Sequence, residues 1–310
     1  MKKLKIKNII IAITILIIVL FSGIKYFNHI NSNYYKLKQI GYNDKEIEII
    51  EKNLNKYQVI DILDKEYSEF IVPLINEKYF IFNNMERYLN YYSDNKDKKI
   101  NNIIAIVNTN VDKGFYEIIK QTDTSKGNLM LVNKFYKLDK DFTPNDLVDI
   151  SLQYSYNNNS ISEIVYENYI NMWHAAKNEK DFTLIVTSSY RNYETQEELH
   201  ERYRAQGGLH FADSIAARPG HSEHQVGLAL DIVSFNKNFS DFINSEEALW
   251  LKENAHNFGF ILRYPKEKQH ITGYSYEPWH YRYVGNEVAQ YIYENNITFD
   301  EYYAFYIKNK

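Results

Sequence analysis

The stretch Pro219 to Ile232, which reads PGHSEHQVGLALDI, constrains this chain of 310 residues more than any other. Its latter part alternates through Ser234, with Leu228, Leu230 and Ile232 on one side and Ala229, Asp231 and Val233 on the other. Alternation of this kind predicts a β-strand, whose successive side chains point to opposite faces. A carboxylate is thereby expected in mid-strand, on a defined side. Gly220 and Gly227 permit a tight loop around His224, and the small Ala229 leaves room beside Asp231. Further along, the chain reads Glu277-Pro278-Trp279-His280. Three ligands drawn from His and carboxylate, with a position left open, make a catalytic zinc site. His224, Asp231 and His280 fit as those ligands, and Glu277 fits as the unliganded carboxylate that takes a proton from water. Pro278 disfavours helix at Glu277, so Glu277 and His280 are expected on a turn entering a strand.

The N-terminus carries the second constraint. Lys2, Lys3, Lys5 and Lys7 precede an uncharged run from Asn8 to Ile24 dominated by Ile, Leu and Val. Such a run lies at the short edge of what spans a hydrocarbon core, and a signal segment has the same basic flank. No small-x-small cleavage pattern stands near Ser22 and Gly23, so residues 1–30 are expected to form an uncleaved membrane anchor, with the remainder extracytoplasmic. Cysteine is absent, which excludes disulfides and lipid attachment through a cysteine. The net charge is -4 and basic residues cluster only at the N-terminus, so no nucleic-acid partner is expected.

Between these landmarks the pattern is mixed. Residues 31–100 read as a helical stalk and linker: Ile47, Ile50, Leu54 and Ile60 recur at helical spacing after a Gly41-Tyr42-Asn43-Asp44 turn, and Asp94 to Lys99 form a charged break. Ile103 to Asn108 reads as a strand. Ile161, Ile164, Val165, Tyr169, Met172 and Ala176 predict a helix ending near Lys180, and Thr183 to Thr187 a buried strand delivering Ser189-Tyr190-Arg191 to a loop. The next helix is expected to close at Gly207-Gly208, and Asn244 with Glu247 has capping-box spacing before a helix that Gly259 ends. Without a regular βαβ rhythm the expected class is α+β, with helices around a mainly antiparallel sheet.

Ser222-x-His224-x-x-Gly227-x-Ala229-x-Asp231, followed by Glu277-x-x-His280, resembles the signature of the VanY-type zinc D-alanyl-D-alanine carboxypeptidases, a peptidase family that also holds bacterial L,D-carboxypeptidases. The similarity runs from about Leu129 to Gly285, including the Ser189-Tyr190-Arg191 loop with Gln196 and the stretches Tyr264-Pro265-Lys266 and Tyr283-Val284-Gly285. The resemblance implies a carboxypeptidase domain over 101–310 with its core at 129–285, and one zinc ion held by His224, Asp231 and His280 with Glu277 as base. It also implies peptidoglycan stem peptides as substrate, with removal of a terminal D-alanine. An L,D-carboxypeptidase acting on tetrapeptide stems is the first alternative, and an inactive wall-binding module on the same scaffold the second.

Arg191 is the candidate to bind an anionic oxygen or a terminal carboxylate, because its planar fork matches a carboxylate. The resemblance suggests Gln196 and Ser222 as further hydrogen-bonding partners of the peptide. His221 is a weaker rival to His224, while His200 and His210 read as surface or capping groups. Ser22-x-x-Lys25 and Ser93-Asp94-Asn95 echo serine penicillin-binding proteins, yet the Lys-Thr-Gly that completes that set is missing, with Ile271-Thr272-Gly273 the nearest match.

Overall fold

The computed structural model describes residues 2–308 as a mixed helix-and-sheet chain in two compact units, Met1–Ile104 and Ala105–Lys310. The first unit begins with α1 (Lys2–Ile30), whose segment Ile13–Ile30 has a mean hydropathy of 1.7 and is long and apolar enough to cross a membrane. After it come α2 (Asn33–Ile40), α3 (Asp44–Asn53), α4 (Lys56–Leu63), α5 (Ile71–Ile75) and α6 (Met85–Asp94). Their boundaries are set locally. Gly41, at φ 124°, ends α2, and Asn43 with Glu46 and Asn55 with Gln58 form reciprocal capping boxes on α3 and α4. Leu37, Ile47, Ile50, Val59, Ile62 and Leu74 are buried among these helices.

Ile103 to Asn108 is not the expected strand but the end of α7 (Ile100–Asn108). Every residue from Ile103 to Val107 is buried, so the run shows no alternation and its period leaves strand and helix equally open. The preceding Ile100-Asn101-Asn102 gives the segment the length of a helix.

The second unit holds two small strand pairs and one larger sheet. β1 (Lys120–Gln121) runs parallel to β2 (Tyr136–Lys137), and β3 (Leu147–Asp149) pairs antiparallel with β4 (Ser160–Ser162). The larger sheet contains β5 (Leu184–Ser188), β6 (Ala229–Ser234), β7 (Phe260–Leu262) and β8 (His280–Tyr283) in the order β5-β6-β8-β7, antiparallel throughout. Asp231 in β6 stands opposite Ser188 on one neighbour and His280 on the other. Directly opposed residues share a face of the sheet, so the register itself brings Asp231 and His280 together.

Helix α8 (Glu163–Lys180) covers the sheet with Val165, Tyr169, Met172 and Ala176, and the Tyr169 hydroxyl and Trp173 indole both donate to the Leu184 carbonyl. Helix α9 (Tyr193–Ile215) does not close at the glycine pair. Gly208 breaks it at φ 81° and ψ 177°, the chain turns helical again, and His200 before the break bonds Asp213 beyond it at 3.0 Å. A Cβ on Gly207 would meet the Phe211 ring at 2.4 Å, so the small residue makes room for the second half. His200 is therefore buried and paired, not the surface group expected.

Helix α10 (Phe239–Phe242) precedes α11 (Glu246–Asn254), which is capped by Ser245 and not by Asn244. Glu247, freed from a capping box, accepts from Ser234 Oγ at 2.9 Å and Lys237 Nζ at 2.6 Å. A 3-10 turn then ends at Gly259, as expected. Helices α12 (Gln269–Thr272), α13 (Asn286–Asn295) and α14 (Phe299–Tyr306) complete the unit.

Candidate metal and catalytic site

His224 lies in a 3-10 turn, Glu223–Val226, that hands the chain to β6. Gly227 ends this turn at φ 75°, where a Cβ would meet Pro144 at 2.9 Å, so glycine alone fits both the backbone and the space. The turn brings His224 beside the Asp231 and His280 pair of the sheet. His224 Nε2 lies 3.4 Å from Asp231 Oδ2, and His280 Nδ1 lies 3.0 Å from Asp231 Oδ1. One ligand atom from each of the three residues falls within 4.8 Å of the others, and all three side chains are buried.

The hydrogen bonding of these groups suits a metal. His224 Nδ1 donates to the Ser189 carbonyl at 2.6 Å, which leaves the Nε2 lone pair facing Asp231. Burial, with the nearby Arg191 charge, pulls the His224 ring down to about 4, so it is neutral at ordinary pH as a ligand must be. Burial alone would raise Asp231, but the two histidines hold its carboxyl well below the usual range. Burial would lower His280, yet its hydrogen bond to Asp231 and the nearby Glu223 carboxylate push it up to about 9. Positive charge is thus favoured between these carboxylates. Two imidazoles and a carboxylate, compact and buried, are a donor set that fits zinc.

Glu277 sits on the turn into β8, where the His280 amide donates to the Glu277 carbonyl at 3.2 Å. Its Oε2 is 3.8 Å from His280 Nδ1, beside the three-ligand group and outside it. Burial, opposed by His280 and reinforced by Asp231, pushes its carboxyl up to about 7. A group poised near neutrality can both accept and return a proton.

Arg191 follows β5, its amide donating to the His224 carbonyl at 3.2 Å. The side chain is half-buried, its Nε is buried with no partner among the described residues, and desolvation pulls its pKa down against the pull of Asp231 and Glu277. Gln196 donates through Nε2 to the Ala217 carbonyl at 2.8 Å, and Ser222 Oγ accepts from the His224 amide at 3.3 Å. All of these residues line one cavity of about 510 Å³, together with Tyr203, Tyr264 and Trp279. His221 is turned elsewhere: its Nδ1 bonds the Asn133 carbonyl at 2.7 Å and its ring packs edge-on against Tyr116.

Sequence reasoning passed over Glu223, although it adjoins His224. This carboxylate is fully buried, takes Arg263 Nε at 2.8 Å and Arg282 Nη1 at 3.1 Å, and faces His280 Nε2 at 3.5 Å. Burial would raise it, but the two arginines hold it well below the usual carboxylate range. The only available signal was the spacing of three charged residues, Glu223, Arg263 and Arg282, none of which has a helical or strand neighbour pattern demanding charge.

Residues 158–286 match the family model described as VanY, D-alanyl-D-alanine carboxypeptidase. The putative carboxypeptidase YodJ of Bacillus subtilis is 38% identical over 187 residues, which are 56% of this chain and 66% of that protein. A D-alanyl-D-alanine carboxypeptidase of Enterococcus faecalis is 36% identical over 192 residues, 59% of this chain and 68% of the relative. Among solved structures, the LdcB LD-carboxypeptidase aligns with a TM-score of 0.56 at 36% identity, over 60% of this chain and 90% of that one.

Proposed function

This chain belongs to the VanY family of D-alanyl-D-alanine carboxypeptidases, which are zinc peptidases, and on that premise we propose that it removes the C-terminal D-alanine from peptidoglycan stem peptides. The observation that carries the reading is the packing of His224, Asp231 and His280 ligand atoms within 4.8 Å, with Glu277 at their side. These three residues would hold zinc, which would supply the Lewis acidity that polarises a carbonyl and acidifies water. The chain's own residues do the rest. Glu277 takes the proton of the attacking water as its oxygen bonds to the scissile carbonyl carbon, and gives that proton to the departing amine nitrogen as the C–N bond breaks. Burial, which raises its carboxyl above the usual range, favours its keeping the proton until the amine departs.

Arg191, half-buried at the cavity wall with an unpartnered Nε, binds the free carboxylate of the terminal residue. Gln196 and Ser222 hold the peptide by neutral hydrogen bonds at the same wall. We assign α1 as the anchor that keeps the site outside the membrane, residues 31–100 as the stalk, and 101–310 as the catalytic domain. Incubating the full chain with pentapeptide and tetrapeptide stems, with and without a chelator, tests the reading through the mass of the released amino acid. Chelator-sensitive release of D-alanine from the pentapeptide is expected. Release from the tetrapeptide alone would replace it with L,D-cleavage, and release unaffected by the chelator would refute the metal.

A further inference from the structure

Two buried polar atoms near the site lack hydrogen-bond partners among the described residues, and they face each other. Glu223 Oε2 and His280 Nε2 stand 3.5 Å apart, a few tenths of an ångström beyond a hydrogen bond. Leaving a buried polar atom unmade is costly, so two such atoms aimed at one another form a contact poised to close. Glu223 is fixed for this purpose. Its other oxygen takes Arg263 Nε and Arg282 Nη1, both guanidinium groups being fully buried. Arg263 is held in turn by Asp300 at 2.5 Å, and Asp300 by Asn133 at 2.6 Å, so α14 and the loop before β2 brace the carboxylate from behind.

We propose that Glu223 is the positioning residue of His280, accepting the Nε2 proton so that the Nδ1 lone pair is the one turned to Asp231 and the metal. The inference rests on the metal reading above. Imidazole can carry its single proton on either nitrogen, and the outer partner decides which one is left to bind a metal. A carboxylate accepts only, so Glu223 permits one answer. An amide in its place permits the other: with its oxygen kept by the arginines, the NH2 of a glutamine faces His280, draws the lone pair to Nε2 and moves the proton to Nδ1.

The test measures zinc affinity of the full chain by competition with a chromogenic chelator. Glu223→Gln is expected to bind zinc about 10- to 100-fold more weakly than wild type, as loss of an outer partner does. Glu223→Asp keeps the charge for the arginines but draws the oxygen back from His280, and an intermediate loss is expected; it carries the test should the glutamine variant fail to fold. Asp300→Asn strikes the same network away from His280, and its zinc affinity is expected within about twofold of wild type while its melting temperature falls. Wild-type affinity in the Glu223 variants would overturn the inference and leave the metal site standing. An equal loss in Asp300→Asn would also overturn it, since the effect would then belong to the stability of the network. A wild-type chain that takes up no zinc would overturn the metal reading and this inference together.

Discussion

Both units of the molecule carry exposed ion pairs, and the second also holds a buried charged network. In Met1–Ile104 the ion pairs given for the described residues leave an exposed carboxylate, as between Lys38 and Asp44 at 2.7 Å, and order comes from apolar side chains and local caps. In Ala105–Lys310 Glu223, Arg263, Arg282 and Asp300 are almost wholly buried and linked to one another. Exposed pairs contribute little because water screens them, whereas a buried group costs several kcal/mol to desolvate and is tolerated only when paired. A fold that needed stability alone could fill that space with apolar side chains. The difference teaches that the second unit's buried charges hold a geometry, and through Glu223, 3.5 Å from His280, they adjoin the group of His224, Asp231 and His280.

The comparison breaks most visibly at Arg282, which bonds Glu223, the Tyr283 carbonyl, and the Asn128 and Met130 carbonyls. Arg282→Met leaves those acceptors buried with fewer partners, and a loss of about 3–5 kcal/mol in denaturant unfolding is expected. A loss below 1 kcal/mol would mean that the buried network is no different from a surface one.

Lys134 sharpens the comparison through pH. It is buried, donates at 2.6 Å to the Asp213 and Gly273 carbonyls, and stands 4.2 Å from the Tyr274 ring centre. Burial pulls its pKa down to about 8. In the unfolded chain the same amine titrates near 10.4, so between about pH 8 and 10 the unfolded state binds more protons and stability rises with pH. The rise is at most about 1.4 kcal/mol per pH unit from this one group. Lys134→Met should flatten it, as measured by denaturant midpoints at pH 7.5 and 9.5; an unchanged slope would assign the rise elsewhere. The smallest effect belongs to the first unit. Asn43→Ala removes the acceptor for the Lys45 and Glu46 amides and should cost about 1 kcal/mol with zinc uptake untouched.

What could be read beforehand divides along similar lines. The alternation around Asp231, the turn signalled by Gly227 and the strand at His280 follow from short-range rules, which made His224, Asp231, His280 and Glu277 candidates, while the choice of His224 over His221 came from the family resemblance. Local signals failed where a distant partner decided the outcome. The apolar run ending in α7 has no period to choose by, and the Gly208 break is spanned by His200 and Asp213, thirteen positions apart. Asn244 and Ser245 compete as caps, and Ser245 prevails with its Oγ accepting from the Ala248 amide, while Glu247 is engaged by Ser234 and Lys237. Glu223 is the extreme case: a glutamate beside a histidine reads as solvated until Arg263 and Arg282, 40 and 59 positions away, close over it.

The central claim is a division of labour in which His224, Asp231 and His280 hold the metal and Glu277 moves the proton. Zinc content and turnover measured side by side on Glu277→Ala and His224→Ala test it most directly. The account predicts stoichiometric zinc in Glu277→Ala with turnover lowered about 10²- to 10⁴-fold, and loss of both zinc and turnover in His224→Ala. Stoichiometric zinc in His224→Ala, or near-normal turnover in Glu277→Ala, would contradict it.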